Sequence, residues 1–411
     1  MKNIFSKYGL LILALFYIIN FALPSNSLIY ANENMNNDNS EEVNTVEKTK
    51  FIPTYYDWYQ YPTDYSLFNL NRKKIPREVK GLYVSGHTAE SIRIDQLIDL
   101  LNKTELNSLV IDVKEDGGYL TYKSNVPQVK EITSDRKTFI SDIDALLQKA
   151  RENNIYTIAR IVTFKDPFLA GAKPEIAMQK ISGGVWRDSK GVSWVDPYRK
   201  EVWDYNIAIA IEAAKKGFKE IQFDYVRFPA EGRRLDREVQ FNNPENKTKA
   251  EIIAEFLKYA KEQLKDYNVF ISADVFGLTT TVIDDMGIGQ KWELITATVD
   301  YISPMMYPSH YGKWSYGLPI PDAYPYETIK FGLEDAIEKN NKVANQGNTP
   351  AIIRPWYQDF TATWVKGHID YGAEEVLEQI KAGKDLGINE YLIWNPRNTY
   401  SERAWLNTNN K

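Results

Sequence analysis

Lys200 to Lys216 runs into Gly217-Phe218-Lys219-Glu220-Ile221-Gln222-Phe223-Asp224-Tyr225, and this stretch decides how the rest of the chain is read. Apolar residues three and four apart predict a helix over Lys200 to Lys216, and β-branched and aromatic residues predict a strand over Glu220 to Phe223. Gly217 stands between them, where a glycine can take the left-handed conformation that ends a helix. Strand side chains alternate in direction, so Ile221 and Phe223 belong under a helix while Gln222 and Asp224 share the opposite face.

The same helix-then-strand grammar recurs along the chain. Strands are predicted at Gly81 to Val84, Ser108 to Val113, Tyr156 to Val162, Glu220 to Phe223, Val269 to Ala273, Tyr301 to Met305, Ala351 to Arg354 and Glu390 to Trp394. Helical patterns fall between them at Ile94 to Leu101, Phe139 to Glu152, Lys200 to Lys216, Ala250 to Lys265, Tyr326 to Glu338 and Glu374 to Leu386. Eight strands with intervening helices predict an α/β fold, a (β/α)8 TIM barrel in a single domain. The alternative, an open doubly wound sheet, usually brings a glycine-rich phosphate loop after its first strand, and Gly81-Leu82-Tyr83-Val84-Ser85-Gly86-His87 does not supply one. The connections after the strands, such as Asp166 to Pro197 and Tyr307 to Pro325, are the long ones, and in a barrel they gather on the rim that carries function.

Composition narrows the possibilities. The 411 residues are 43% hydrophobic and 26% charged, the balance of a chain with a sizeable core. A formal charge of −5, with no basic block longer than Arg72 to Lys74 and otherwise pairs such as Arg233 to Arg234, gives no footprint for nucleic acid. The absence of cysteine removes disulfides, thiolate metal sites and cysteine nucleophiles. His87, His310 and His368 are scattered, so no metal site is expected, and no cofactor motif is found.

At the start, Lys2 and Lys7 precede an apolar run from Tyr8 to about Ala22, with a cleavage point expected after Ala31. Residues 1–31 read as a signal peptide or, uncleaved, as an N-terminal membrane anchor with its tether in residues 8–22. A secreted or extracellular location follows from either form. Residues 32–50 are a polar tether expected to be disordered, residues 51–79 an aromatic-rich extension, and residues 80–400 the barrel.

Several polar residues are expected on the functional rim. Asp224 ends the fourth strand, and in Ser272-Ala273-Asp274 the same alternation puts Asp274 at the end of the fifth. Two carboxyl groups facing each other suit glycosidic cleavage, in which one protonates the leaving oxygen and the other attacks or shields the anomeric carbon. Asp112, Lys114, Arg160, Arg227 and Asn395 fall on the same rim as substrate-binding candidates. Tyr307, Trp356 and Trp394 add rings suited to the flat faces of sugars.

At these motifs the sequence resembles a family of bacterial exported proteins with a glycoside hydrolase domain, distantly related to α-amylase-like barrels. The resemblance rests on Lys80 to Val84, Ile111-Asp112-Val113-Lys114-Glu115-Asp116-Gly117-Gly118, Phe223 to Pro229, Ser272 to Gly277 and Ser303 to Pro308. It implies Asp224 as nucleophile. The acid/base of such barrels is a glutamate, where this chain has the shorter Asp274, so Glu115, Asp116 and Glu231 are alternative donors. A chitinase-type pattern needs a glutamate two residues past the aspartate, and Val226 stands there. The expected activity is hydrolysis of an extracellular or cell-envelope polysaccharide or oligosaccharide by paired carboxylates. The rival readings are a non-catalytic carbohydrate-binding barrel and a metal-dependent polysaccharide hydrolase or deacetylase.

Overall fold

The computed structural model describes residues 78–406, so the expected leader, the expected tether and nearly all of the aromatic-rich extension lie outside the described residues. The barrel strands are β1 (Lys80–Val84), β2 (Ser108–Lys114), β3 (Tyr156–Val162), β4 (Glu220–Asp224), β5 (Phe270–Phe276), β6 (Tyr301–Met305), β7 (Ile352–Ile353), β8 (Trp356–Gln358) and β9 (Tyr391–Trp394). All pair in parallel, and β9 returns to β1 through Lys80 beside Tyr391, which closes the sheet on itself. The six longest helices are α1 (Ile92–Lys103), α2 (Ile143–Glu152), α3 (Lys200–Lys216), α4 (Lys249–Leu264), α5 (Pro325–Asn345) and α6 (Ala373–Asp385).

Two local rules account for most of this layout. Helices stop where the chain can cap them: Gly217 at the end of α3 takes φ +111° and its amide reaches the carbonyls of Ala213 and Ala214. At its other end α4 starts on a reciprocal capping box between Thr248 and Glu251. Strands then split their side chains between two layers. Ile221 and Phe223 are fully buried beneath the helices, with Phe223 edge-on to Phe256 of α4 at 5.2 Å. Tyr83, Val110, Ile158 and Trp356 form a second, smaller cluster inside the barrel.

The seventh barrel position departs from the single strand expected at Ala351 to Arg354. Pro355 has no amide hydrogen for the ladder, so it divides the position into β7 and β8. Both halves border the sixth strand: β7 pairs with β6 at Tyr301 and Ile302, and β8 touches it at Met305 and continues along β9. Trp356 therefore lies on a strand, not on the loop after it.

Candidate active site

Gln222 pairs with Ser272 and Phe223 with Ala273, so the next residues, Asp224 and Asp274, occupy one layer on neighbouring strands. Such neighbours lie about 4.8 Å apart. On the other side of β4, Arg160 of β3 is in register with Gln222 and with Asp112 of β2. Its guanidinium gathers three carboxylates. It donates to Oδ2 of Asp224 from Nε at 2.9 Å and Nη2 at 2.5 Å, to Oδ1 of Asp112 at 2.7 Å, and to Oδ1 of Asp116 at 3.0 Å.

The second oxygen of Asp224 accepts the backbone amide of Tyr225 at 2.5 Å. Tyr225 has φ +48°, a left-handed backbone that side-chain-bearing residues rarely adopt and that directs the amide back at the carboxylate. Asp224 and Asp274 retain 5% and 1% of their exposure, so the site is nearly covered. A surface depression of about 630 Å³ beside Lys180 and Arg234 contains neither aspartate. The candidate site is marked by its charge arrangement rather than by volume.

The carboxyl groups differ sharply in environment. Asp274 makes no ion pair among the described residues; its Oδ1 accepts the indole N–H of Trp356 at 2.7 Å. Burial, and then the charge of Asp224, push its proton affinity well above the usual carboxylate range. Burial also raises Asp112 to about 6, against the opposing pull of Arg160 and the Tyr83 hydroxyl. Asp116 keeps 48% of its side-chain exposure; partial desolvation acts upward, but Arg160 and Lys165 outweigh it and hold the group at about 2.

The other rim candidates divide. Trp394 is half-buried and stacks on Tyr83 at 4.1 Å, with the Arg160 guanidinium 5.5 Å from its ring. Tyr307 is buried near the aspartates, whose charges, after burial, raise its hydroxyl further. Arg227 lies over Tyr225 and Phe276 at the same end of the barrel.

Three candidates are placed differently from expectation. Lys114 does not reach the rim. The β2 ladder slips between Asp112 and Lys114, and this bulge turns the lysine toward the helical layer, where it donates to Asp166 at 2.8 Å and Asn206 at 2.7 Å. Asn395 is a loop staple, donating to the carbonyls of Asp359 and Thr399. Trp356, 1% exposed, is a buried partner of Asp274 and not a platform for sugar. Of the alternative donors, Glu115 accepts the Tyr119 amide, and Glu231 accepts the Ser189 amide and the Arg234 guanidinium.

Sequence reasoning passed over Tyr83, Lys165 and Tyr225. Tyr83 donates to Asp112 at 2.6 Å, and the alternation of Leu82, Tyr83 and Val84 already marked it as the inward member. Lys165 and Tyr225 lie past strand ends, where alternation stops giving direction.

Set against known proteins, residues 81–400 match the family described as "Putative glycosyl hydrolase domain". The chain belongs to this family. Its glycosyl hydrolase domain shares its fold with solved structures of low sequence identity. One is the glycoside hydrolase domain of PgaB (BpsB) from Bordetella bronchiseptica, 11% identical, with a TM-score of 0.55 over 79% of this chain and 95% of that one. Another is α-L-fucosidase isoenzyme 2 from Paenibacillus thiaminolyticus, 14% identical, with a TM-score of 0.52 over 80% of this chain and 48% of that one. A hypothetical protein from Ruminiclostridium thermocellum ATCC 27405 is 44% identical, covering 50% of this chain and 98% of its own, with a TM-score of 0.43. Comparison with curated proteins finds no match.

Proposed function

We propose that this glycosyl hydrolase domain cleaves a polysaccharide outside the cell or in its envelope, with Asp224 as nucleophile and Asp274 as acid/base. The observation that carries the reading is the contrast within one layer: Asp224 is clasped by Arg160, whereas Asp274 lies beside it with no cation and a strong hold on its proton. A carboxylate clasped by a cation suits the partner of the anomeric carbon, and a buried carboxyl that holds its proton suits the donor for the leaving oxygen. Spacing supports the same division. Groups on adjacent strands in one layer approach the roughly 5 Å separation of retaining glycosidases more closely than the roughly 6.5–9.5 Å of inverting ones. Retention of anomeric configuration in the first product is therefore expected. Export rests on the leader-like residues 1–31.

The test combines two substitutions. Asp224→Asn should lower turnover about 10⁴-fold or more, with the melting temperature showing that the protein stays folded. Asp274→Asn should harm cleavage of an oligosaccharide far more than cleavage of an aryl glycoside, whose leaving group needs no proton. Equal losses on both substrates would remove Asp274 from the donor role. The near-complete covering of both aspartates favours a second reading, a non-catalytic barrel that holds glycans at its rim. Saturable binding without any product in the unaltered protein would select it.

A further inference from the structure

Arg227 differs from the other buried arginines of the barrel. Arg160 meets three carboxylates and Arg354 meets two, but Arg227, only 8% exposed, makes no ion pair among the described residues. Its Nη1 donates to the carbonyl of Phe228 at 2.9 Å. The guanidinium is otherwise surrounded by rings, with its carbon 4.5 Å from the centre of Phe276, 4.8 Å from Tyr225 and 5.2 Å from Trp194. Burial outweighs the pull of Asp224, Asp116 and Asp188, none of which pairs with it directly, and a buried cation without a direct partner is costly and suits a place where a ligand supplies the charge.

Its position is specific. Phe276 is two residues beyond Asp274 on β5, so its ring lies one step above the carboxyl pair on the same face. Tyr225 immediately follows Asp224, and its ring is flanked by Arg227 and by Lys165, whose ammonium is 4.4 Å from the ring centre. Lys165 already spends part of its charge on Asp116 at 3.2 Å. Asp188 is engaged by its own loop, accepting the amides of Lys190 and Val192 and the indole N–H of Trp194. Arg227 and Lys165 therefore stand beside the proposed reacting pair, with Lys190 close enough for both to disfavour its protonation, after burial and against the pull of Asp188.

We propose that Arg227, assisted by Lys165, forms an anion subsite next to the cleavage point, and that the sugar bound there carries an acidic group, a carboxylate or a phosphate. The planar fork of an arginine suits either anion, and the aromatic walls hold it in a fixed plane while shedding water. This inference rests on the glycosidase reading for its biological meaning, but the subsite can be measured apart from cleavage.

The experiment uses the full chain, titrated by calorimetry with glucuronate, glucose 6-phosphate and glucose. Binding of at least one acidic sugar about tenfold or more tighter than glucose is expected, from the usual strength of a charged hydrogen-bond pair. Arg227→Met should collapse that ratio toward one, and Arg227→Lys should keep part of it. The more strongly bound of glucuronate and glucose 6-phosphate identifies the source of the charge. Equal affinity for acidic and neutral sugars, or an Arg227→Met ratio unchanged from the parent, overturns the proposal. Cleavage assays on a uronate-containing oligosaccharide and its carboxyl-reduced counterpart then separate the two claims. Selective binding without cleavage keeps the subsite and sinks the glycosidase, whereas equal cleavage of both substrates keeps the glycosidase and sinks the subsite.

Discussion

The barrel carries a buried arginine near each end of its interior, and the two are wired differently. At the lower end Arg354 donates to both oxygens of Glu220 at 2.9 Å and to Glu390 at 2.7 Å, all three side chains fully buried, and it lies 3.6 Å from the Tyr301 ring. Every carboxylate in that group has the same cation as its partner. At the upper end Arg160 holds Asp112, Asp116 and Asp224, yet Asp274 in the adjoining position is left to an indole N–H. The lower network gives each of its carboxylates a cationic partner; the upper one leaves a proton unsettled. An arrangement of the first kind serves the fold, and one of the second kind is what chemistry requires.

The comparison breaks most visibly on substitution of the two arginines. Arg354→Met strands two buried glutamates and is expected to cost about 3–5 kcal/mol of stability, read from denaturant unfolding, with the folded fraction keeping its turnover. Arg160→Met should cost less stability, because Asp116 is exposed and Asp112 can take up a proton, but turnover should fall steeply. Matching stability losses with matching activities would erase the distinction between the two ends. A finer probe is Trp356→Phe. The indole N–H stabilises the charged form of Asp274, so its removal raises the group's proton affinity further and should move the alkaline limb of the pH–rate profile upward. A limb that stays in place would mean that another group donates the proton.

The smallest effect concerns Asp112. Its folded-state value of about 6 exceeds the unfolded one, so the folded protein binds the extra proton and gains stability as pH falls from 7 toward 5. Asp359, also raised to about 6 by burial, contributes in the same direction. The melting temperature should therefore rise over that interval, and Asp112→Asn should flatten part of the rise. A slope identical to the parent's would show that Asp112 is already neutral or already paired throughout.

How much of this was legible beforehand depends on whether a rule of period two still applied. Tyr156 to Val162 and Tyr301 to Met305 coincide with their strands, and Asp224 and Asp274 emerge in one layer as alternation requires. Arg160 on the inward face of β3 followed from the same count. Alternation failed where one residue of β2 was slipped, which redirected Lys114, and where Pro355 masked the continuation that carries Trp356 inward. The lower network was missed for another reason. Glu220, Arg354 and Glu390 are 134 and 36 residues apart along the chain, and nothing local announces that closure of the barrel will bring them together.

The slipped residue in β2 has one more consequence. By sending Lys114 outward it leaves arginines, Arg160 and Arg354, as the cations that the strands present to the lumen. An arginine does not release its proton under any condition in which the protein is folded, whereas a desolvated lysine readily can. The interior is thus poised as an acid bath with fixed positive ballast: the protons it gains or gives up come and go through its carboxyl groups. Were the ladder regular, Val113 would stand opposite Ile161 and Lys114 would turn inward as a second kind of titrating group, and the enzyme's response to pH would no longer be written in carboxylates alone.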